Sequence, residues 1–115
     1  MDSARRVLIV EDEIGLRRSL ARYLEDRGLE VTQAGCISEA EGLLDQIAFD
    51  AVVLDVGLPD GDGLTLLARL PAERSLVISV EADPERLERC GVLHFLAKPL
   101  DLRVFASEVR ALGGA

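Results

Sequence analysis

The sequence predicts an α/β protein in which helices cover both faces of one parallel sheet. Short runs of purely apolar residues, including 7–10 and 51–54, alternate along the chain with amphipathic stretches. That alternation is typical of parallel strands that are buried on both faces. Of the 115 residues, 49% are hydrophobic and only 3% are aromatic, so we expect one core built from Val, Leu, Ile and Ala. The length fits a single domain, residues 1–115.

The first 50 residues contain two strand–helix units. Residues 7–10 form the first predicted strand, and the helix after the acidic segment 11–13 stops at Gly28. Residues 29–34 alternate apolar and polar side chains, which predicts an edge strand. Ser38 followed by Glu41 is a capping-box signature and predicts the start of the second helix. The apolar positions of the two helices are Leu16, Leu20 and Leu24, then Ala40, Leu43, Leu44 and Ile47.

The second half continues the alternation with three shorter units. The strand 51–54 leads into Asp55 and a loop over 56–63 that is rich in Gly, Pro and Asp. A short helix over 64–70 stops before a proline, and residues 76–80 form the fourth strand. Asp83 and Pro84 have the residue types of an N-cap and a first helical position, so they predict a helix that ends at Gly91.

The last unit completes five strands and five helices in strict alternation. Residues 92–96 form the fifth predicted strand, and Asp101 is the expected cap of the final helix. The C-terminal residues 113–115 fit either a natural end or the edge of a longer chain. The apolar stripe of the final helix is Leu102, Phe105, Val109 and Leu112.

The charge balance excludes some classes of partner. Thirteen basic and 21 acidic residues give a net charge of −8, which argues against direct binding to nucleic acid or an anionic membrane. Cys36 and Cys90 lack metal-ligand spacing and are expected to be reduced, part-buried thiols. The N-terminal apolar run 7–10 is too short for a signal sequence or a membrane span, so we expect a cytoplasmic protein.

Acidic residues follow the first and third apolar strands directly. Glu11 and Asp12 come after one strand and Asp55 after the other. Ligands of open α/β sheets bind at the carboxyl ends of the strands. If these two strands are neighbours, the three carboxylates converge and repel one another by about 4 kcal/mol per pair at 4 Å. A hard cation such as Mg²⁺ would relieve that repulsion.

The ends of the fourth and fifth strands carry a hydroxyl and an ammonium group. Ser79 interrupts the apolar fourth strand, and Lys98, the single lysine beside twelve arginines, follows the fifth. An ammonium group at this edge is suited to pair with a carboxylate or a phosphoryl oxygen. Four of the five strand ends therefore carry groups of a functional type at the same edge of the sheet.

Four sequence segments in order resemble the signature of the response regulator receiver domains of two-component signal transduction. They are Val10-Glu11-Asp12-Glu13, the stretch from Leu54 to Gly63 (LDVGLPDGDG), Ile78-Ser79 and Lys98-Pro99. The resemblance extends over essentially the whole chain. It implies a flavodoxin-like (βα)5 three-layer sandwich whose five-stranded sheet has the order 2-1-3-4-5.

The resemblance also implies a metal-dependent phosphoacceptor. Asp55 would be the aspartate that receives the phosphoryl group. Mg²⁺ would be bound by Asp12 directly, by Asp55, by Glu11 beside them and by the backbone carbonyl of Gly57. Glu11 stands where the family usually has Asp, and we expect Mg²⁺ binding to survive that change.

Further roles follow from the same resemblance. Ser79 would donate a hydrogen bond to the phosphoryl group, and Lys98 would neutralise another of its oxygens. Phe95 occupies the aromatic switch position, although it also fits a static core ring. The Lys98–Pro99 peptide bond would be cis. The aspartates Asp60 and Asp62 are interpreted as residues that only solubilise their loop.

The implied partners are proteins. The phosphoryl donor would be a phosphohistidine on a sensor histidine kinase or a phosphotransfer protein, and the output would pass to an effector domain or a downstream protein. No enzyme activity is expected beyond self-phosphotransfer and autodephosphorylation. The third and fourth helices are each about one turn short for the family. That shortening puts a phosphorylation-dependent homodimer through the fourth helix, fifth strand and fifth helix in doubt.

Two other functions stay open from the sequence. A degenerate receiver would bind partners without phosphorylation, although the set Asp12, Asp55, Ser79 and Lys98 is intact. A Mg²⁺-dependent phosphatase of the aspartyl-phosphate kind would need a second acid two residues after the nucleophile, where this chain has Gly57. Val80 replaces a small residue that is usual beside the phosphoryl site, so we expect slow phosphorylation by small donors.

Overall fold

The computed structural model describes residues 5–81 and 83–113. The prediction that the N-terminus contains no signal sequence depends in part on residues 1–4, which lie outside the described residues. The same holds for residues 114–115, on which the two interpretations of the chain end depend. Among the described residues, none of the helices combines the length and the apolar content that a membrane crossing requires.

Within the described residues, one sheet contains five parallel strands. They are β1 (Arg6–Val10), β2 (Glu30–Ala34), β3 (Ala51–Asp55), β4 (Ser75–Ser79) and β5 (Phe95–Ala97). Their order in the sheet is β2-β1-β3-β4-β5. This is the 2-1-3-4-5 order of a flavodoxin-like fold, so the predicted fold class is confirmed. The chain reverses its winding direction between β1 and β3, which places a crevice at their carboxyl ends.

Helices connect successive strands, but one predicted helix has a different form. The third connection is a 3₁₀-helix over Gly63–Arg69, preceded by a small ribbon in which Gly57–Leu58 pairs with Gly61–Asp62. A second 3₁₀ turn covers Ala72–Arg74. The α-helices are α1 (Ile14–Glu25), α2 (Ile37–Gln46), α3 (Pro84–Arg89) and α4 (Leu102–Ala111).

The sheet separates two apolar clusters. Side chains on successive residues of a strand point to opposite faces, so Val7 and Ile9 of β1 pack on one side and Leu8 and Val10 on the other. The first side is covered by α1 and α4, whose Phe105 is fully buried. The second is covered by α2 and the 3₁₀-helix. Both faces of β1 and β3 are therefore buried, as the apolar runs predicted.

The predicted capping box of the second helix is wrong. The helix begins at Ile37, with Cys36 at the N-cap position, and the Cys36 side chain makes no capping hydrogen bond. The amides of Ile37 and Ser38 instead donate to the carboxylate of Asp60 at 2.8 and 3.0 Å. Asp60 therefore caps α2 from the loop after β3, and its interpretation as a mere loop solubiliser is also wrong.

The fifth strand begins later than the predicted range 92–96. Gly91 has a φ of 76°, and the amide of Val92 donates to the carbonyl of Leu87 at 2.9 Å, so residues after α3 close that helix before pairing can start. The strand then runs over Phe95–Ala97. Cys90, at the end of α3, is exposed, so its predicted partial burial is wrong, whereas Cys36 is half-buried as expected.

Candidate functional site

Three carboxylates meet at the crevice where the winding reverses. Val10 of β1 pairs with Leu54 of β3, so the residues that follow them lie side by side. Glu11, Asp12 and Asp55 each offer a carboxylate oxygen, and these oxygens all lie within 4.8 Å of one another. Glu11 and Asp55 are buried, whereas Asp12 is exposed. The cluster thus has one open side toward solvent.

Lys98 joins two of these carboxylates. Its Nζ donates to Oε1 of Glu11 at 2.6 Å and to Oδ2 of Asp55 at 3.1 Å. The Lys98 amide donates to the carbonyl of Ser79 at 2.8 Å, which attaches the chain after β5 to the end of β4. The Lys98–Pro99 bond that follows is cis. The Lys98 side chain is 15% exposed, and its ammonium group is held inside the acidic cluster.

Burial and pairing act in opposite directions on the charges of this cluster. Burial raises the pKa of Glu11, and the nearby charge of Asp55 adds to the rise, although hydrogen bonds from Lys98 and the Glu13 amide partly offset it. For Lys98, burial acts to lower the pKa, but its bonds to Glu11 and Asp55 outweigh burial and the pKa is raised. The ammonium form of Lys98 is therefore the stable partner of the two acids.

A cavity of about 480 Å³ opens beside Asp55. Ser79 lies in its wall at the end of β4 with 7% exposure, and its hydroxyl oxygen accepts a hydrogen bond from the Glu81 amide at 3.3 Å. Val80, the next residue, is 75% exposed and lines the same cavity. The remaining lining residues are Val56, Gly57, Leu64, Glu81, Asp83, Arg86, Leu87 and Lys98.

The loop after Asp55 passes very close to the backbone of Asp55 itself. A Cβ atom on Gly63 would lie 1.9 Å from the carbonyl oxygen of Asp55, so only glycine fits there. The Gly63 amide donates to the carbonyl of Val56 at 2.7 Å and closes the loop. Gly57, exposed on this loop, directs its amide toward Oδ1 of Asp55 at 3.4 Å. The loop thus folds back around the carboxylate.

Phe95 stands apart from the carboxylates. It is half-buried in β5 and pairs in register with Val77 of β4, two residues before Ser79. Phe95 therefore lies on the strand next to the site, whereas the fully buried ring of Phe105 lies in the core.

Three polar residues near the site have roles that were not predicted from the sequence. Glu13 accepts from the amides of Gly15 and Leu16 and caps α1. Asp62 accepts from the Leu64 amide and caps the 3₁₀-helix, so its interpretation as a loop solubiliser is wrong. Arg86 of α3 pairs with Asp62. The spacing of Asp62 before the helix at 64 is an N-cap signal, whereas nothing in the sequence indicates the pair with Arg86.

The donor set fits a hard divalent cation. Carboxylate oxygens are the ligands that Mg²⁺ and Ca²⁺ prefer, and Mg²⁺ binds through one or two carboxylates while other positions stay open for phosphate. The cluster contains three acids against one lysine, which leaves an excess of negative charge at a partly buried position. The residues present are therefore compatible with a magnesium site.

Comparison with known proteins identifies the family. The family model of the response regulator receiver domain matches residues 7–110. The chain belongs to the response regulator receiver domain family. Over 113 residues it is 36% identical to the swarming motility regulation protein RssB of Serratia marcescens, covering 92% of this chain and 52% of that protein. The receiver domain thus spans about half the length of the relatives matched by sequence.

Solved structures agree with this assignment. The non-phosphorylated HemR receiver domain from Leptospira biflexa has a TM-score of 0.82 and 34% identity, with 94% of this chain and 93% of that chain covered. A response regulator from Burkholderia pseudomallei, solved with a phosphorylated aspartic acid, a calcium ion and citrate, has a TM-score of 0.80 and 30% identity. The coverage is 93% of this chain and 71% of that one.

Proposed function

We propose that this receiver domain accepts a phosphoryl group on Asp55 with Mg²⁺ and changes a protein-binding surface in response. One observation carries the proposal. The Asp55 carboxylate lies at the end of a buried strand, within 4.8 Å of carboxylate oxygens of Glu11 and Asp12 and 3.1 Å from the Lys98 ammonium group. A nucleophile, a cation site and a fixed positive charge are thus assembled around one open cavity.

The donor we propose is a phosphohistidine of a sensor histidine kinase or a phosphotransfer protein. A carboxylate oxygen of Asp55 forms a bond to phosphorus while the bond between phosphorus and the imidazole nitrogen breaks. The imidazole leaves with the electron pair, and Asp55 becomes an acyl phosphate. Lys98 already contacts Oδ2 of Asp55, so its charge lies where negative charge accumulates on the phosphoryl oxygens.

Glu11, Asp12, Asp55 and the carbonyl of Gly57 are the groups that would hold the metal ion. A bound Mg²⁺ would neutralise the acidic cluster and the phosphoryl oxygens during transfer. The similar regulator from Burkholderia pseudomallei, which holds a calcium ion together with a phosphorylated aspartic acid, supports this assignment. We expect no turnover of external substrates beyond self-phosphotransfer and autodephosphorylation.

The output would follow from the new charge in the cavity. The Ser79 hydroxyl would turn from the Glu81 amide and donate to a phosphoryl oxygen, and Phe95 on the adjacent strand would change its packing. Phe95 belongs to β5, and Ser79 is the last residue of the strand before α3; neither β5 nor α3 has a fully buried side chain. In the cytoplasm, an effector domain or a downstream protein would bind that surface. Alternatively, a second copy of the domain would bind it and form a phosphorylation-dependent homodimer.

The test uses beryllofluoride as a phosphoryl mimic. Amide NMR spectra are recorded on the wild type, Asp55→Asn and the control Asp26→Asn, with beryllofluoride in the presence and absence of Mg²⁺. We expect shifts around Ser79 and Phe95 only with Mg²⁺, in the wild type and the control alike. Equal shifts in Asp55→Asn would contradict the proposal. If partner affinity were identical with and without beryllofluoride, the degenerate receiver would be the better description.

A further inference from the structure

The cavity beside Asp55 has a second cation at its edge. The first cation, Lys98, already donates hydrogen bonds to Glu11 and Asp55. Arg86, in the first turn of α3, is the other basic residue among those that line the cavity, and 38% of its side chain is exposed. It lies seven positions after Ser79, so the short connection between β4 and α3 holds it near the phosphoryl site.

Asp62 fixes the position of this arginine. Nη2 of Arg86 pairs with Oδ2 of Asp62, while Oδ1 of the same carboxylate accepts from the Leu64 amide at 3.0 Å. The aspartate is thus anchored in the cap of the 3₁₀-helix, and the pair links α3 to the start of that helix. A guanidinium group carries five N–H donors, so one contact to Asp62 leaves several others available.

The charge of the surroundings gives this cation a role. Asp55, Glu81 and Asp83 are among the residues that line the cavity, so an anionic phosphodonor that approaches Asp55 meets negative charge there. Arginine binds phosphate oxygens through its planar set of donors and keeps its charge at all relevant pH values. The guanidinium of Arg86 therefore offers an incoming phosphoryl oxygen N–H donors at the edge of this acidic cavity.

We propose that Arg86 is a positioning residue for phosphodonors, which binds a phosphoryl oxygen of the incoming donor at the edge of the cavity while Asp62 holds the guanidinium in place. The inference rests on the proposed phosphorylation of Asp55. With acetyl phosphate, an Asp55 oxygen bonds to phosphorus, the bond from phosphorus to the acetate oxygen breaks, and acetate leaves with the electron pair. Arg86 takes no part in bond making and acts on the approach and orientation of the dianion.

The chain offers a matched control on the same helix. Arg89 is 67% exposed, pairs with Glu85 at 4.0 Å and does not line the cavity. Arg86→Gln and Arg89→Gln therefore remove the same charge from α3, but only the first removes it from the cavity. Arg86→Lys keeps the charge and loses the planar donor set. Since α3 contains no fully buried residue, none of these changes removes core packing.

The experiment follows phosphorylation of each full chain by acetyl phosphate with Mg²⁺, by 31P NMR, over a range of donor concentrations. We expect Arg86→Gln to lower the second-order rate constant for phosphorylation about tenfold, because one charge-assisted hydrogen bond to the donor is lost. The loss should appear as a higher half-saturating concentration of acetyl phosphate. Arg86→Lys recovers part of the loss, and Arg89→Gln stays within about twofold of the wild type. Phosphoramidate, a donor of lower charge, shows a smaller effect of Arg86→Gln.

Three results would overturn the inference. They are equal rates in Arg86→Gln and Arg89→Gln, a faster rate in Arg86→Gln, and a loss confined to the limiting rate at saturating donor. Circular dichroism of each variant checks that α3 and the rest of the fold are retained, and the partial recovery in Arg86→Lys supports the assignment independently. A wild type that no donor phosphorylates would instead contradict the proposed function itself.

Discussion

The ammonium group of Lys98 lies 2.6 Å from a carboxylate oxygen of Glu11, a residue that is completely buried although it carries a charge. The two residues are 87 positions apart in the chain. Charged groups are buried only at a high cost in solvation, which a well-placed partner has to offset. The pair therefore couples the function of the site to the stability of the fold.

Removal of the ammonium group should destabilise the protein strongly. Lys98→Met leaves the Glu11 carboxylate buried without its partner, so we expect the free energy of unfolding to fall by about 3–5 kcal/mol in metal-free buffer. The double variant Glu11→Gln/Lys98→Met should recover most of the loss. Urea unfolding at neutral pH measures both, with Arg103→Met, an exposed residue of α4, as the control.

The same variant should respond to pH in a defined direction. Burial raises the pKa of Glu11 and the Lys98 bond lowers it, so Lys98→Met should raise that pKa further. The folded state then binds more protons than the unfolded state, and stability must increase as the pH falls toward the acidic range. The stability lost in Lys98→Met, relative to the wild type, is measured from neutral pH down to about one pH unit above the unfolded pKa of Glu11. A loss that stays constant over this range would contradict the account.

Magnesium should stabilise the folded domain through the acidic cluster. At a Mg²⁺ concentration ten times the dissociation constant, binding to the folded state alone adds about 1.4 kcal/mol to the free energy of unfolding. Asp12→Asn removes the exposed member of the cluster and should abolish the gain, whereas Asp26→Asn, at the end of α1, should retain it. Thermal unfolding with and without EDTA provides the measurement. A gain that survives in Asp12→Asn would place the ion elsewhere.

Val80 should limit the access of small phosphodonors. Its side chain is 75% exposed yet lines the cavity beside Asp55, so truncation widens the cavity at little cost in burial. We expect Val80→Ala to raise the phosphorylation rate with acetyl phosphate about three- to tenfold, equivalent to a barrier lower by about 0.7–1.4 kcal/mol. The control is Val104→Ala, which truncates an exposed valine of α4, away from the cavity. An unchanged rate in Val80→Ala would show that access is not limiting.

The cap that Asp60 provides for α2 should be visible in acid. Hydrogen bonds from the amides of Ile37 and Ser38 lower the pKa of Asp60, so its stabilising contribution is present above the unfolded pKa. The contribution is lost as the pH falls through the lower folded value. Asp60→Asn should therefore reduce the urea midpoint at neutral pH, and the difference from the wild type should vanish in strong acid.

The matched control for this cap lies on the helix itself. Glu41→Gln removes one negative charge from the exposed face of α2, where the described residues show no hydrogen bond to that side chain. Its urea midpoint should follow the wild type at every pH. If Glu41→Gln and Asp60→Asn lost the same stability, the effect would be one of net charge and not of capping.

The sequence determined the order of elements and the edge at which the chemistry would lie. Apolar runs such as 7–10 and 51–54 have a two-sided pattern that only a buried parallel strand satisfies, and acids follow them immediately. These are short-range signals, since a strand end and its next residue are adjacent in the chain. The predicted convergence of Glu11, Asp12 and Asp55 depended only on β1 and β3 being neighbours.

The tertiary structure decided which distant groups became partners. Asp60 caps a helix that begins 23 residues earlier, and Arg86 of α3 pairs with Asp62 at the start of the 3₁₀-helix. No periodicity or local motif encodes such pairs, because each depends on how two separate segments are placed by the packed sheet. The start of β5 was mispredicted for a related reason: residues after α3 satisfied the open helix end before they reached the strand. Local pattern thus specified the elements, and packing selected the contacts between them.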